Sequence, residues 1–346
     1  MGNTAHRSGG EDELIGINDT PMMSDFFASI DLGGTNMAAA FADSTGAVCA
    51  QIRVPTDSHE GPDGVVRRMA GMLRQLREQT GAQPVALGVG VPGLVDSATG
   101  AVRLVTNFPT PWRDVPLAEM LQPAAGCPVY LLNDARAATL GELEFGHGRT
   151  VRDMIYFGLG TGVGGGIVID GKLRLGPLGA AGEIGHQTIV AEGVLCDCGN
   201  RGCLETLVSG PAITAEGVRL YLSGMAPRLR EICAGEAAKV SPETMGAAAR
   251  GGDAHVLTAL QRAGEWLGIG AANLVTALHP ELIVIGGGVS GLGDLLLGPV
   301  RATLGRRVRM FPTDQVRVEC SALGRDAGLL GGIALARRGG IGVSAS

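Results

Sequence analysis

Phe26-Phe27-Ala28-Ser29-Ile30-Asp31 is an apolar run that passes through Leu32-Gly33-Gly34-Thr35-Asn36 into a second apolar run, Met37 to Ala42, closed by Asp43. The same order returns as the run beginning at Met154 with Ile155-Tyr156-Phe157, then Gly158-Leu159-Gly160-Thr161-Gly162, then Gly164 to Ile169. Laid over each other without a gap, Ile30–Asp43 and Phe157–Asp170 share one pattern: strand, Gly/Thr turn, strand, closing Asp. Two copies so far apart indicate a duplicated domain rather than a solenoid, whose period is about 20–50 residues.

The chain around these copies alternates helix and strand signals. Val65 to Gln79 has helical spacing, Pro84–Val89 reads as a buried strand, and Pro128–Leu132 reads as another. The last runs into Asn133-Asp134 and a helix over Ala135–Phe145. Further on, Val256, Leu260, Ala263, Leu267, Ala271, Leu274 and Leu278 recur at intervals of three and four, the mark of a long helix with one buried face, with Asp253 as its N-cap. The strand Leu282–Ile285 and the turn Gly286-Gly287-Gly288 follow. Such alternation predicts an α/β architecture in two lobes.

Composition agrees and excludes several classes. The 346 residues carry 28 Lys+Arg against 34 Asp+Glu, a net charge of −6, which argues against a nucleic-acid-binding body. Glycine is the outlier at 57 residues, more than twice the average share of roughly 7%. Because 45% of residues are hydrophobic and only 3% aromatic, the core is expected to consist of Val, Leu, Ile and Ala in a soluble globular protein. No apolar run approaches the roughly 18 residues needed to span a bilayer, and the polar first 25 residues read as a flexible tail without a secretory h-region. His6 stands where a myristoylation signal requires Ser or Thr. A reducing cytoplasm is the expected compartment.

Glycines at a strand end let backbone N–H groups approach an anion with no Cβ in the way. Three such turns occur, Gly33-Gly34-Thr35, Gly160-Thr161-Gly162 and Gly286-Gly287-Gly288, and together they suggest a phosphate chain held between lobes. Gly160 to Gly165 satisfies G-x-G-x-x-G, but it leads into a strand where the dinucleotide fingerprint requires a helix. There is no P-loop. Asp31, just before the first turn, could hold Mg²⁺ through water, as phosphoryl transfer requires, or simply bond its own turn.

Seven cysteines include Cys196, Cys198 and Cys203, preceded by His186. Three thiolates and one imidazole form a Cys₃His set, the closed tetrahedral arrangement of structural zinc, and Gly199 and Gly202 let the loop fold round the ion. A Cys196–Cys198 disulfide would be strained by its single intervening residue. Asp134, at the end of an apolar strand, can accept the proton of an attacking hydroxyl or can cap the next helix. Asn107, Glu183 and Glu205, bordered by small residues, suit loops that hydrogen-bond a polyol.

Ile30-Asp31-Leu32-Gly33-Gly34-Thr35, Asn133-Asp134, Leu159–Gly166, Ala181-Gly182-Glu183-Ile184-Gly185-His186 and Cys196-x-Cys198-Gly199-x-x-Gly202-Cys203-Leu204-Glu205 together resemble the ROK family (repressor, open reading frame, kinase) over roughly residues 26–337. The resemblance implies a duplicated two-lobed actin/hexokinase-like fold, related to ribonuclease H. Residues 26–133, completed by a C-terminal helix over 326–338, would form one lobe; residues 134–325, with a zinc loop over 186–203, would form the other. It implies that Asp134 is the base and that Gly33, Gly34, Thr35, Gly160, Thr161 and Gly162 hold ATP phosphates, with Gly286 and Gly287 bordering the adenosine. Gly93 (in Val91-Pro92-Gly93), Asn107, Asn133, Glu183, His186 and Glu205 would bind the sugar. His186 would then use one ring nitrogen for zinc and the other for a sugar hydroxyl.

The family's repressors carry a winged helix-turn-helix before the first strand, a pattern the first 25 residues lack, so the kinase branch is expected. Likeness through Thr106-Asn107-Phe108-Pro109-x-x-Trp112 and the zinc loop points to ATP- and Mg²⁺-dependent phosphorylation of glucose at its 6-hydroxyl, the entry to glycolysis, by a homodimer. Kinases of N-acetylmannosamine, fructose or mannose, a polyphosphate donor, and a catalytically silent sugar sensor are the alternatives.

Overall fold

The computed structural model describes residues 25–105, 108–110 and 112–341. Apart from Asp25, the expected tail lies outside the described residues. The first half of the chain runs β1 (Phe26–Leu32), β2 (Asn36–Ala42), β3 (Val48–Pro55), α1 (Gly61–Thr80), β4 (Pro84–Val91), β5 (Leu94–Asp96), β6 (Ala101–Val105), β7 (Trp112–Val115), α2 (Leu117–Ala125), β8 (Val129–Asn133) and α3 (Asp134–Phe145). The second half runs β9 (Met154–Leu159), β10 (Val163–Ile169), β11 (Lys172–Leu173), α4 (Glu205–Val208), α5 (Gly210–Leu222), α6 (Pro227–Ile232), α7 (Pro242–Arg250), α8 (Ala254–Leu278), β12 (Leu282–Gly286), α9 (Asp294–Arg307), β13 (Arg317–Cys320) and α10 (Ala327–Arg337).

Two five-stranded sheets carry the duplication, in the orders β3-β2-β1-β4-β8 and β11-β10-β9-β12-β13. In each, the first three strands in that order pair antiparallel and the remaining pairings are parallel. The repeat is therefore topological as well as local, but the gapless overlay slips. Leu32 pairs with Met37 across the first hairpin, whereas Leu159 pairs with Val163 across the second, so the second turn is one residue shorter. The two copies match through the first strand and need a one-residue gap after it.

Apolar residues on both faces of the central strands bury each sheet on both sides. Ala28, Ile30 and Leu32 face α1, whose Val65, Met69, Leu73 and Leu76 recur at helical intervals. Ile155, Phe157 and Leu159 face the layer of α8 and α9. Between the sheets lie α3 and α10, with Ala137, Leu140, Ala334 and Leu335 packed against Tyr156 and Val284. The two helices touch backbone to backbone, because a Cβ on Gly331 would stand 1.8 Å from the Ala137 carbonyl oxygen. A small sheet of β5, β6 and β7 holds Trp112 edge-on to Phe108, with ring centroids 5.4 Å apart, so both rings serve the core.

Two capping expectations change. Asp253 precedes α8 but accepts from the Leu229 N–H (2.8 Å) and makes no side-chain bond to its own helix. Asn133 caps α3, accepting from the N–H groups of Ala135 and Arg136, and Asp134 is the first helical residue; its Oδ1 shares the Ala135 N–H (2.8 Å).

Candidate active site

The parallel strands β1, β4 and β8 end side by side, and ligands of open α/β sheets bind outside such carboxyl ends. Asp31 pairs with Gly90, and Val91 pairs with Asn133, which brings Asp31 and Asp134 to opposite sides of one glycine. A Cβ on Gly90 would lie 3.5 Å from Asp31 Oδ1 and 3.6 Å from the Asp134 Cα, so Gly90 stands between these two residues. Asp31 is pushed up to about 7, first by burial and then by the negative charge of Asp134, with Arg53 acting the other way. Burial also raises Asp134; the Ala135 N–H and the Arg136 guanidinium offset part of this, and Glu183 adds to it. Neighbouring carboxyls with raised pKa values mark a cleft that handles protons or cations.

On one side of Asp134 stands a polar array. Arg136 is 1% exposed and donates from Nε to the Ala181 carbonyl (2.9 Å), from Nη2 to the Ala180 carbonyl (2.9 Å) and from Nη1 to Asn133 Oδ1 (2.7 Å). Its Nη2 also pairs with Glu183 Oε1 at 2.9 Å. Glu183 Oε2 lies 4.0 Å from His186 Nε2, and the other ring nitrogen, Nδ1, lies 3.6 Å from Cys196 Sγ. Asn133 Nδ2 donates to the Gly93 carbonyl (3.0 Å). Glu205 Oε2 accepts from the Val163 N–H (2.8 Å), which joins the cysteine loop to the second glycine turn.

His186, Cys196, Cys198 and Cys203 bring one ligand atom each within 4.8 Å of one another. Two thiolates at about 2.3 Å from a tetrahedral zinc stand about 3.8 Å apart; Cys198 Sγ and Cys203 Sγ are 3.7 Å apart. The donor set and its spacing fit zinc with no position left for water.

The second glycine turn adjoins this array, since a Cβ on Gly162 would stand 2.4 Å from Glu205 Oε2. The Gly33 N–H donates to the Asn36 carbonyl and the Gly160 N–H to the Gly162 carbonyl, so each turn closes on itself and leaves Thr35 and Thr161 exposed. Gly286 and Gly158 are register partners, and Gly287, at φ 80°, packs so tightly that a Cβ would stand 2.3 Å from the Leu159 carbonyl oxygen. The second and third turns therefore abut. Tyr156 joins the two halves, its phenol held above its ordinary range by burial and by Glu142, Asp31 and Asp134.

The sequence residues Asp31, Gly93, Asn133, Asp134, Glu183, His186 and Glu205 thus fall into linked hydrogen-bonding or electrostatic contacts, and the three turns adjoin them. Asn107 lies outside the described residues. Sequence reasoning missed Arg136, whose partners are backbone carbonyls and a carboxylate some 45 positions away. Its one local signal is the arginine itself, three residues beyond Asn133.

The sequence profile of the ROK family matches residues 27–339. The chain belongs to the ROK family. Within it, a glucokinase of Thermotoga maritima is 35% identical over 305 residues, covering 87% of this chain and 94% of the relative. An N-acetylmannosamine kinase of Citrobacter koseri is 31% identical over 315 residues, 89% of this chain and 98% of that one. A ROK family glucokinase from Streptomyces griseus, solved in complex with glucose and AMPPNP, matches with a TM-score of 0.81 at 34% identity, over 90% of this chain and 99% of that one. This ROK protein is a sugar kinase with the α/β hexokinase-like fold. Among its described residues no helix is long and apolar enough to cross a membrane.

Proposed function

We propose that this kinase transfers the γ-phosphoryl group of ATP to the 6-hydroxyl of glucose. The observation that carries the reading is the position of Asp134, the first residue of α3, with Asp31 across Gly90 and with Arg136, two residues on, paired to Glu183. The glucose 6-oxygen attacks the γ-phosphorus, its proton passes to the Asp134 carboxylate, and ADP departs. A raised pKa makes Asp134 a better acceptor near neutrality, since an ordinary carboxylate is too weak a base.

Gly93, Asn107, Asn133, Glu183, His186 and Glu205 hold the sugar in this reading. Gly34, Thr35, Thr161 and Gly162 would turn backbone N–H groups to the phosphates. Gly33 and Gly160, whose own N–H groups close the turns, would let the phosphate chain approach without a Cβ in the way, and Gly286 and Gly287 would border the adenosine. Asp31 would hold Mg²⁺ through water, and the bound ion supplies charge neutralisation on the phosphoryl oxygens. His186, Cys196, Cys198 and Cys203 would hold a structural zinc through Nδ1 and three sulfurs, which fixes the imidazole and leaves Nε2 for a hydroxyl. Lobes of 26–133 with the C-terminal helix over 326–338, and of 134–325, follow the two sheets and would close on the substrates. A cytoplasmic homodimer that feeds glycolysis belongs to the same proposal.

Glucose is favoured by the 35% identical glucokinase, and N-acetylmannosamine is the rival because of the 31% identical kinase of that sugar. The test is phosphorylation by ATP and Mg²⁺ of glucose, N-acetylmannosamine, mannose and fructose in parallel, with polyphosphate as a second donor. Glucose is expected to give the highest kcat/KM. Preference for another hexose overturns the glucose assignment, polyphosphate-only activity overturns the donor, and silence with every pair leaves a sugar sensor.

A further inference from the structure

We infer that Arg136 is the positioning residue of the hexose site, its buried guanidinium setting Asn133 as a hydrogen-bond donor and Glu183 as an acceptor toward the sugar. The inference rests on the hexose-kinase reading above and adds a residue that the sugar need not touch.

The accounting of donors and acceptors carries it. Asn133 Oδ1 receives three N–H groups, from the backbone of Ala135 (3.1 Å) and Arg136 (3.3 Å) and from Arg136 Nη1 (2.7 Å). An inverted amide would set its NH₂ against those three donors, so the oxygen is locked inward. One Nδ2 hydrogen goes to the Gly93 carbonyl, and the other, which has no partner among the described residues, remains for a ligand oxygen. Asn133 can therefore only donate to the sugar.

Glu183 is held the opposite way. Its Oε1 is taken by Arg136 Nη2, while its side chain as a whole is 46% exposed against 2% for the arginine. A buried guanidinium without its counter-charge is strongly unfavourable, so the carboxylate stays and presents Oε2 to the cleft as an acceptor. The same guanidinium holds the carbonyls of Ala180 and Ala181, just before Gly182, which turns the chain at φ 95°. One planar fork with five donors thus fixes the loop, the carboxylate and the amide; a lysine offers a single point charge and cannot do all three.

The experiment compares wild type, Arg136→Lys, Glu183→Gln and the double variant in steady-state kinetics against hexose and nucleotide separately. Hydrogen bonds to charged groups of this kind lead us to expect Arg136→Lys to raise the hexose KM about ten- to a hundredfold with the nucleotide KM unchanged. In the Glu183→Gln background the same change adds little, because both act through one network. Lysine keeps the buried charge, so this variant stays measurable even if Arg136→Gln fails to fold. A wild-type hexose KM in Arg136→Lys, hexose and nucleotide KM rising together, or independent effects of the two substitutions would each overturn the inference. A wild-type enzyme that phosphorylates none of the hexoses overturns the functional reading and this inference with it.

Discussion

Asp31 costs the fold stability at neutral pH, and Asp31→Asn exposes the amount. Its carboxyl sits near 7 in the folded protein against an ordinary 3.8, so the native state keeps a proton that the unfolded chain releases. A raised acid pKa destabilises the fold progressively as pH climbs from about 4 to about 7, and the penalty is constant above that. About three units at 1.36 kcal/mol each gives about 4 kcal/mol as the full value. Asp31 is only half-buried and cleft water screens it, so about 2 kcal/mol is the working figure. With an unfolding entropy of about 2.1 cal/mol/K per residue, that amounts to a melting temperature about 3 °C higher in Asp31→Asn at pH 8. Calorimetric scans of both proteins without nucleotide or Mg²⁺, at unit steps from pH 4 to pH 8, should show the gap opening from near zero and levelling off above pH 7. Carboxylates remote from Asp31 titrate alike in both proteins and cancel; Asp134, whose charge helps raise Asp31, is the exception, since Asp31→Asn relieves the repulsion between the two, which opens the gap in the same direction. A gap that ignores pH, or a wild type more stable at pH 8, would refute the reasoning. The same variant should lose its use of Mg²⁺-nucleotide, a gain in stability bought with function.

Asp134→Asn should bind hexose normally in titration calorimetry and lose turnover by about a thousandfold, within the range of general-base catalysis; near-normal kcat would remove Asp134 from the base role. In the wild type, kcat should fall on the acid side as Asp134 takes a proton, with the midpoint above the ordinary carboxylate range, and a flat acid limb would contradict its burial. Metal analysis should find about one zinc per chain, and stripping it should weaken hexose binding while nucleotide binding persists; a metal-free, fully active preparation would exclude the Cys₃His assignment. Gly331→Ala drives a Cβ into the Ala137 carbonyl of the facing helix, and denaturant titration should register a loss of about 3 kcal/mol.

Local chemistry made much of this legible. A strand buried on both faces needs an unbroken apolar run, and a turn that admits an anion needs glycine, so β1, β2, β9 and β10 announce themselves in single stretches. The Cys₃His cluster is equally local, with its three cysteines inside one short loop. Asp134 was recognisable as a polar residue ending an apolar strand, although composition could not tell base from cap. The fold settled the cap, because Asn133 holds the helix N–H groups.

By itself the sequence determined the duplicated α/β plan, the three glycine turns, the Cys₃His set and the carboxylates that the strands would end in, since each is a pattern among neighbours along the chain. Only the tertiary structure decided the one-residue slip between the two hairpins, the bond from Leu229 to Asp253, the meeting of Asp31 and Asp134 over Gly90, and the work of Arg136. Those depend on which backbone groups distant segments bring together, and a backbone carbonyl is the same in every residue, so no side-chain pattern could have foretold its partner.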